Sequence, residues 1–151
     1  MKHLDLNIDD DFTWQKNLNL YYSYLESIKS RFSKKFFCFY TKEGMHDSIL
    51  LDLQIVKRAL TNGTVIDVNT LWGKSEKRFS LIFKDVKSIN MNINLLDGYC
   101  EFGDYIAGEF SAVNEQLLSF EFLFYDCENT VKLIFKKIHF KTWGKYYRNR
   151  L

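Results

Sequence analysis

Length, composition and charge set the first limits on what this chain can be. A chain of 151 residues with 46% hydrophobic and 17% aromatic residues can bury one substantial core, which excludes a disordered protein. The longest apolar run, from Phe36 to Tyr40, is far shorter than the about 20 residues of a membrane-spanning helix. We therefore expect a single domain over residues 1–151 that has no membrane segment.

Cysteine usage and the N-terminal sequence bear on the cellular compartment. The three cysteines, Cys38, Cys100 and Cys127, are odd in number, widely spaced and without a CxxC pair. This pattern favours reduced thiols in a cytosol over a disulfide framework. The first twelve residues contain four Asp and no apolar block, so they do not resemble a signal peptide. We expect a cytoplasmic protein.

The N-terminal part of the chain contains one amphipathic helix. Apolar residues recur there at spacings of three and four, as on one face of an α-helix: Trp14, Leu18, Tyr21, Leu25, Ile28 and Phe32. Asp10 or Asp11 can serve as the N-cap. We predict a helix over residues 11–32 that packs on a sheet, with a coiled-coil partner as the alternative. The aromatic segment 33–41 predicts either a second helix or a buried extended connector.

A hairpin near the C-terminus gives the strongest strand signal. Every second residue of its first half is large and apolar, as on the buried face of a strand: Leu118, Phe120, Phe122 and Phe124. In the return strand, 130–143, the apolar positions change parity part-way: Val131, Leu133 and Phe135 come before the change, and Ile138 and Phe140 after it. A β-bulge near Lys136-Lys137 would place all five on one face. We predict the central hairpin of an antiparallel sheet.

Further strands are predicted before this hairpin. The first has apolar residues at alternate positions, which we assign to a buried face: Ile49, Leu51, Leu53 and Ile55. Asn62-Gly63 after it predicts a type I′ turn, in which both central residues need positive φ. Alternation predicts four more strands, within residues 64–72, 79–83, 86–96 and 105–113. The predicted fold class is α+β, with the N-terminal helix packed on a bent, mainly antiparallel sheet of six or seven strands between about residue 48 and residue 143.

Signatures of catalysis and of cofactor binding are missing from the sequence. It contains no GxSxG elbow and no glycine cluster that could hold a phosphate. The doublet His46-Asp47 is of a type that binds metals, but the other two histidines, His3 and His139, fall in a terminus and a strand. We expect no catalytic residue, metal or cofactor. We assign His46 and Asp47 a structural polar role, with Asp47 at the rim of the core beside a Lys or Arg.

The C-terminal segment is the basic part of the chain. Residues 130–151 contain seven Lys or Arg and no acidic residue, although the net charge of the chain is only +2. Cations and aromatic rings are mixed at its end, and we select them as candidate binding residues: Lys141, Trp143, Lys145, Tyr146, Tyr147, Arg148 and Arg150. Such a mixture can neutralise phosphates and stack on unpaired bases, or it can dock an acidic protein. Lysines on the outer face of a strand also prevent edge-to-edge aggregation.

The order of these features resembles small α+β domains of Firmicutes. A helix with Trp14, Tyr21 and Leu25, an aromatic connector and His46-Asp47-Ser48 before a strand is similar in layout to some polymorphic-toxin immunity proteins. The resemblance implies an interaction protein without catalytic residues, and no functional residue carries over from it. We expect a non-catalytic protein-binding module of a bacterial cytosol that neutralises a partner protein. The alternatives are a nucleic-acid-binding module that uses the basic aromatic C-terminal segment and an enzyme of unidentified class.

Overall fold

Two α-helices and eight strands make up the part of the chain that the structure describes. The structure is a computed structural model, and it describes Leu4 and residues 10–93, 104–125 and 129–143. Helix α1 spans Asp11–Ser27 and α2 spans Lys34–Cys38. The strands follow in chain order: β1 Ile49–Leu60, β2 Gly63–Lys74, β3 Lys77–Lys84, β4 Ser88–Asn92, β5 Tyr105–Ala112, β6 Leu118–Phe124, β7 Thr130–Phe135 and β8 Lys137–Trp143. The α+β class is confirmed, but eight described strands exceed the predicted six or seven.

The strands form two antiparallel sheets that are joined along a bent seam. The β1 sheet has the order β1-β2-β3-β8, and the β5 sheet has the order β4-β7-β6-β5. The chain passes from one sheet to the other between β3 and β4 and again between β7 and β8. At this level Lys87 donates its N–H to the Ile134 carbonyl at 2.7 Å, and Lys136 donates to Lys84 at 3.1 Å. The single bent sheet that the sequence predicted is therefore two sheets. The two crossings of the chain, from β3 to β4 and from β7 to β8, lie side by side and form the seam between them.

The seam also explains the additional strand. Lys136 separates β7 from β8 at the position where the parity change predicted a bulge. Val131, Leu133 and Phe135 before it and Ile138 after it are all buried, so both halves face the same core. The predicted parity change is confirmed. It divides the single predicted return strand into two strands that belong to different sheets.

One aromatic cluster joins the two sheets and both helices. The predicted row on β6 is fully buried, and Phe120 stacks on Phe110 of β5 with ring centroids 3.9 Å apart. From α2, Phe36 meets Phe110 edge-on at 5.4 Å. At Gly108 a β-carbon would lie 2.8 Å from the Phe120 ring and 2.7 Å from the Tyr105 hydroxyl, so a larger residue does not fit there without movement.

The predicted apolar stripe is the face of α1 that packs on this cluster. Tyr21 and Leu25 are fully buried. The other four members of the stripe are partly buried against the cluster: Trp14, Leu18, Ile28 and Phe32. Asp10 is the N-cap, and its carboxylate accepts hydrogen bonds from the first turn. The α-helix ends at Ser27, earlier than predicted, and a 3₁₀ turn over Lys29–Arg31 continues the stripe.

Tyrosine hydroxyls cover the outer edge of β5, which is the last strand of its sheet. Tyr21 accepts a hydrogen bond from the N–H of Phe110 at 2.6 Å. Tyr24, one turn further along α1, accepts from the N–H of Ala112 at 2.7 Å. Tyr40 donates to the carbonyl of Gly108 at 2.6 Å. An edge strand presents alternate backbone groups outward, and here side chains of the same chain satisfy three of them.

Strand β1 departs from the prediction. Ile49, Leu51 and Ile55 are 49%, 46% and 55% exposed, so the prediction that they form a buried face is wrong. Leu50 and Leu53 are the members of β1 that pack partly on the core. The difference has two causes. A register shift between Leu50 and Asp52 changes the face on which the neighbouring side chains lie. The second half of β1, residues 54–60, is the outer strand of a hairpin and is exposed throughout.

The turn between β1 and β2 also differs from the prediction. Leu60 pairs with Gly63, so Thr61 and Asn62 form the two-residue loop. The positive φ, 141°, falls on Gly63 and not on Asn62. A type I′ turn needs positive φ at both loop residues, so the predicted turn type is wrong although the hairpin itself is confirmed.

Candidate binding cleft

A cleft of about 910 Å³ lies where α2 and the turn after it meet the end of the β1 sheet. Its walls come from three separate parts of the chain. These are α2 with the π-helical turn Phe39–Glu43, the β2–β3 hairpin, and the last described residues of β8. Clefts of this size, with an apolar floor and a few polar groups at the rim, are typical of binding sites in proteins.

The aromatic segment after α1 forms the first wall because it folds as a helix, which settles the alternatives left open by the sequence. Ser33 is the N-cap of α2, and its hydroxyl accepts a hydrogen bond from the N–H of Phe36 at 3.2 Å. Phe36 points into the core, while Lys34, Lys35 and Cys38 line the cleft. The short helix thus attaches to the core on one side and presents cations on the other.

The floor of the cleft is aromatic. Phe39 stacks on Phe140 of β8 with ring centroids 4.6 Å apart, and it lies 4.8 Å from Phe79 of β3. Trp143, 49% exposed, lies at the end of β8 opposite Arg78 of β3. The rings continue outward from the core, so the floor of the cleft can accept an apolar or aromatic group.

The rim of the cleft is cationic. Five basic side chains line it, against one acidic side chain, Glu43, which gives a net charge of +4: Lys34, Lys35, Lys74, Lys77 and Arg78. The ammonium of Lys35 lies 5.5 Å from the centre of the Phe140 ring and 3.0 Å from the hydroxyl of Thr142. A cation over a ring face is attracted by the ring quadrupole, so this charge is held beside the aromatic floor.

Two of the lysines also have a structural role. Lys74 donates to the carbonyls of Glu43 and Gly44, at 2.9 and 3.0 Å, and so fixes the end of the turn after α2. Lys77 forms an exposed ion pair with Glu43 at 3.3 Å. Lys34 and Lys35 on the opposite wall have no carboxylate within ion-pair distance among the described residues. The cationic rim therefore suits an anion carried by an apolar group.

The structure brings one of the candidate binding residues to the cleft. Trp143, at the end of β8, lines it, whereas Lys141 is exposed and is not part of its lining. The other five candidates lie outside the described residues: Lys145, Tyr146, Tyr147, Arg148 and Arg150. The basic residues of α2 and of the β2–β3 hairpin were missed, because each is an ordinary surface lysine or arginine in the sequence until the fold brings the two segments together.

His46 and Asp47 lie on the surface before β1. Their side chains bond to each other, with 2.7 Å between Nδ1 and Oδ1, and are 77% and 82% exposed. Asp47 has a positive φ of 59°, which turns it away from the core rim that the strand parity indicated. Its partner is therefore His46 rather than a Lys or Arg. Within the described ranges, no group of three or more His, Cys, Asp or Glu side chains is arranged to hold a metal ion.

Two glutamates face each other across β5 and β6. Glu109 is paired with Glu121 in the strand register. Glu109 is buried and its carboxylate accepts the N–H of Leu4 at 3.2 Å, whereas Glu121 lies 3.5 Å from the ammonium of Lys132. Both carboxylates therefore contact other groups of the same chain, and neither glutamate lines the cleft.

A buried carboxylate anchors the β1–β2 hairpin. Asp67 of β2 is 3% exposed and accepts hydrogen bonds from Arg58 of β1 at 2.9 Å, from Lys84 at 2.5 Å and from the N–H of Asp85 at 3.0 Å. Burial raises the pKa of Asp67, but these donors outweigh burial and hold the pKa well below its usual range. This cluster is satisfied internally and fixes the base of the hairpin.

The chain matches no protein-family model, and comparisons with curated proteins and with solved structures found no significant match. Neither helix in the described ranges combines the length and the apolar character needed to cross a bilayer.

Proposed function

We propose that this protein is a non-catalytic binding protein of a bacterial cytosol that engages a partner protein through the cleft, as an immunity-type protein neutralises its target. One observation carries the proposal: five cationic side chains and one acidic side chain surround a floor of stacked aromatic rings. Opposite charges steer a partner to such a surface, and apolar burial then holds it. The partner is expected to present an acidic segment that contains aromatic or large apolar residues.

The composition of the cleft supports a protein ligand in particular. Tryptophan and arginine dominate the binding energy of protein interfaces, and here Trp143 and Arg78 are cross-strand neighbours at the rim. Their positions are fixed by strand pairing in the β1 sheet. A partner side chain therefore meets a surface that is already ordered, which lowers the entropic cost of binding.

Single-stranded nucleic acid is the second candidate ligand. The observation that favours it is the exposed ring of Trp143 next to several cations, because aromatic rings stack on unpaired bases while lysines neutralise phosphates. An enzyme has no comparable support, because the paired glutamates of β5 and β6 each contact other groups of the chain.

The test compares two labelled probes by fluorescence anisotropy at physiological salt. The first probe is a random copolymer of glutamate and tyrosine, and the second is oligothymidylate. The cleft variants are Lys34→Glu combined with Lys77→Glu, and separately Trp143→Ala. Matched controls at exposed sites outside the cleft are Lys16→Glu combined with Lys137→Glu, which makes the same charge change, and Phe12→Ala, which also removes an exposed aromatic ring.

We expect the copolymer to bind and each cleft variant to weaken it by about tenfold or more, equal to about 1.4 kcal/mol, while the controls bind as the unmodified protein does. Copolymer binding that is equal in the cleft and control variants would contradict the proposal. Oligothymidylate binding that falls steeply with salt and is lost in Trp143→Ala would instead select the second candidate.

A further inference from the structure

The outer edge of β1 is the longest uncovered strand edge in the described residues. β1 has twelve residues and pairs with β2 on one side only. At its start, the Ser48 carbonyl accepts from the N–H of Tyr105, and Ile49 forms a bridge with Asp104. Beyond this contact, no backbone hydrogen bond joins residues 51–60 to a described strand other than β2.

The exposed side chains of β1 are those of an interface rather than of a protected edge. Native edge strands are usually short, covered, or rich in lysine and proline. β1 instead exposes large apolar residues over its whole length: Ile49, Leu51, Ile55, Val56 and Leu60. Since strand alternation puts Ile55 and Val56 on opposite faces, an added strand would bury apolar surface on both sides of the sheet.

The register identifies which backbone groups point outward. The Ile66 carbonyl of β2 is directed away from β1, where it accepts from the N–H of Val86 at 2.7 Å. Lys57, the β1 partner of Ile66, therefore directs its own N–H and C=O to the uncovered edge, and so do the residues two positions before and after it, Ile55 and Ala59. These groups match the spacing that an antiparallel strand requires.

We propose that two copies of this chain pair through β1 as antiparallel strands about Ile55, so that the two β1 sheets form one continuous sheet. This proposal does not depend on the function of the cleft. Pairing about Ile55 places Ile55 opposite the same residue of the second copy. Asp52 then lies opposite Arg58 of the second copy, twice per dimer because the interface is two-fold symmetric.

Charge complementarity supports this pairing register. Asp52 is paired with Leu71 and Arg58 with Val65 within the hairpin, and both positions lie on the face opposite to the buried one. They therefore meet on one face of the combined sheet. Arg58 uses Nε to bind Asp67, and a guanidinium has further N–H donors that can reach a second carboxylate. Shifting the register by two residues would place Asp52 opposite Val56 or Leu60 and lose the pair.

The short paired segment defines the expected strength. Residues 52–58, the segment centred on Ile55, extend over about 23 Å at about 3.3 Å per residue, so the interface is at the small end of the range for specific complexes, below about 1,200 Å². A reversible dimer with a dissociation constant in the micromolar range follows, and the monomer dominates in dilute solution.

Sedimentation equilibrium of the full chain over a range of concentrations tests the proposal. Ile55→Lys places like charges opposite each other in the dimer, and Lys57→Pro removes an outward N–H without breaking a bond to β2. Val113→Lys, at an exposed apolar position after β5, is the matched control. The melting temperature of each variant is measured to establish that it folds.

We expect the weight-average mass of the unmodified protein and of Val113→Lys to rise toward twice the monomer mass with concentration. Ile55→Lys and Lys57→Pro should raise the dissociation constant at least tenfold while remaining folded. A protein that stays monomeric at every concentration would overturn the proposal and leave this edge to a strand of a different protein. A dimer of equal strength in Ile55→Lys would also overturn it, and would place the contact elsewhere.

Discussion

The outer edges of β5 and β1 are both long strand edges, but the chain treats them differently. On β5, hydroxyls of Tyr21, Tyr24 and Tyr40 form hydrogen bonds with backbone groups that point away from the sheet. On β1, no described element covers residues 51–60, and apolar side chains such as Ile55 are exposed there. One edge is closed by the chain itself, and the other has the composition of an unfilled interface.

The closed edge of β5 is part of the core of the fold. Residues that close β5 also belong to the aromatic core, since Tyr21 and Tyr40 are buried and bond to each other at 3.2 Å. Burial raises the pKa of both hydroxyls, so they stay neutral and keep these bonds over the physiological pH range. The tyrosines that α1 contributes to the β5 edge therefore stabilise the fold, whereas the two surfaces proposed for partners are the cleft and the β1 edge.

The largest expected effect contrasts the core beside β5 with the exposed side chains of β1. Phe120→Ala should lower the free energy of unfolding by about 3–5 kcal/mol, because it removes a fully buried ring that stacks on Phe110. Ile55→Ala should change it by less than about 1 kcal/mol, because that side chain is half exposed. Urea unfolding of both variants, in dilute solution, measures the difference. Equal losses would mean that β1 is packed against the rest of the molecule.

A smaller effect isolates the capping of β5. Tyr21→Phe keeps the ring but leaves the N–H of Phe110 without its acceptor, which should cost about 1–3 kcal/mol. The adjacent Tyr22 is 38% exposed, so Tyr22→Phe is the matched control and should be nearly neutral. Thermal unfolding of the two variants compares them directly. If Tyr21→Phe is as stable as its control, the hydroxyl does not protect this edge.

The last effect concerns the anchor of the β1–β2 hairpin and depends on pH. The pKa of Asp67 is lower in the folded protein than its value of about 3.9 in an unfolded chain. The bonds to Arg58 and Lys84 therefore stabilise the fold fully above about pH 4, and their contribution is lost as the pH falls toward the folded-state pKa. Asp67→Asn should be less stable than the unmodified protein at neutral pH, and this gap should narrow in acid. A gap that is constant with pH would exclude the ion pairs as its cause.

Sequence periodicity predicted those elements whose faces meet the core. The stripe with Tyr21 and Leu25 and the row with Phe120 on β6 are buried as expected, because one apolar face of a helix or strand has nowhere else to go. The parity change at Lys136 was also visible in the sequence. The sequence did not indicate that this parity change marks a seam between two sheets, because the pattern of a bulge does not show how far the strand bends.

The remaining differences have a common origin in long-range pairing. Alternation at Ile49, Leu51 and Ile55 is the same for a covered strand and an uncovered one, so it could not show that β1 is an edge. The cleft likewise depends on contacts between distant segments, such as Lys35 with Thr142, 107 positions apart. Among the basic and aromatic residues that were selected from the sequence, Trp143 lies at the cleft because β8 ends beside α2.

Amide hydrogen exchange in dilute solution tests the contrast between the two edges most directly. We expect the N–H of Phe110, bonded to Tyr21, to exchange only when the whole protein unfolds. The outward N–H groups of Ile55 and Lys57 should exchange orders of magnitude faster and become slower as the protein concentration rises. Equal protection of Phe110 and Lys57 in dilute protein would mean that β1 is covered within a single chain, and would refute the contrast between the two edges.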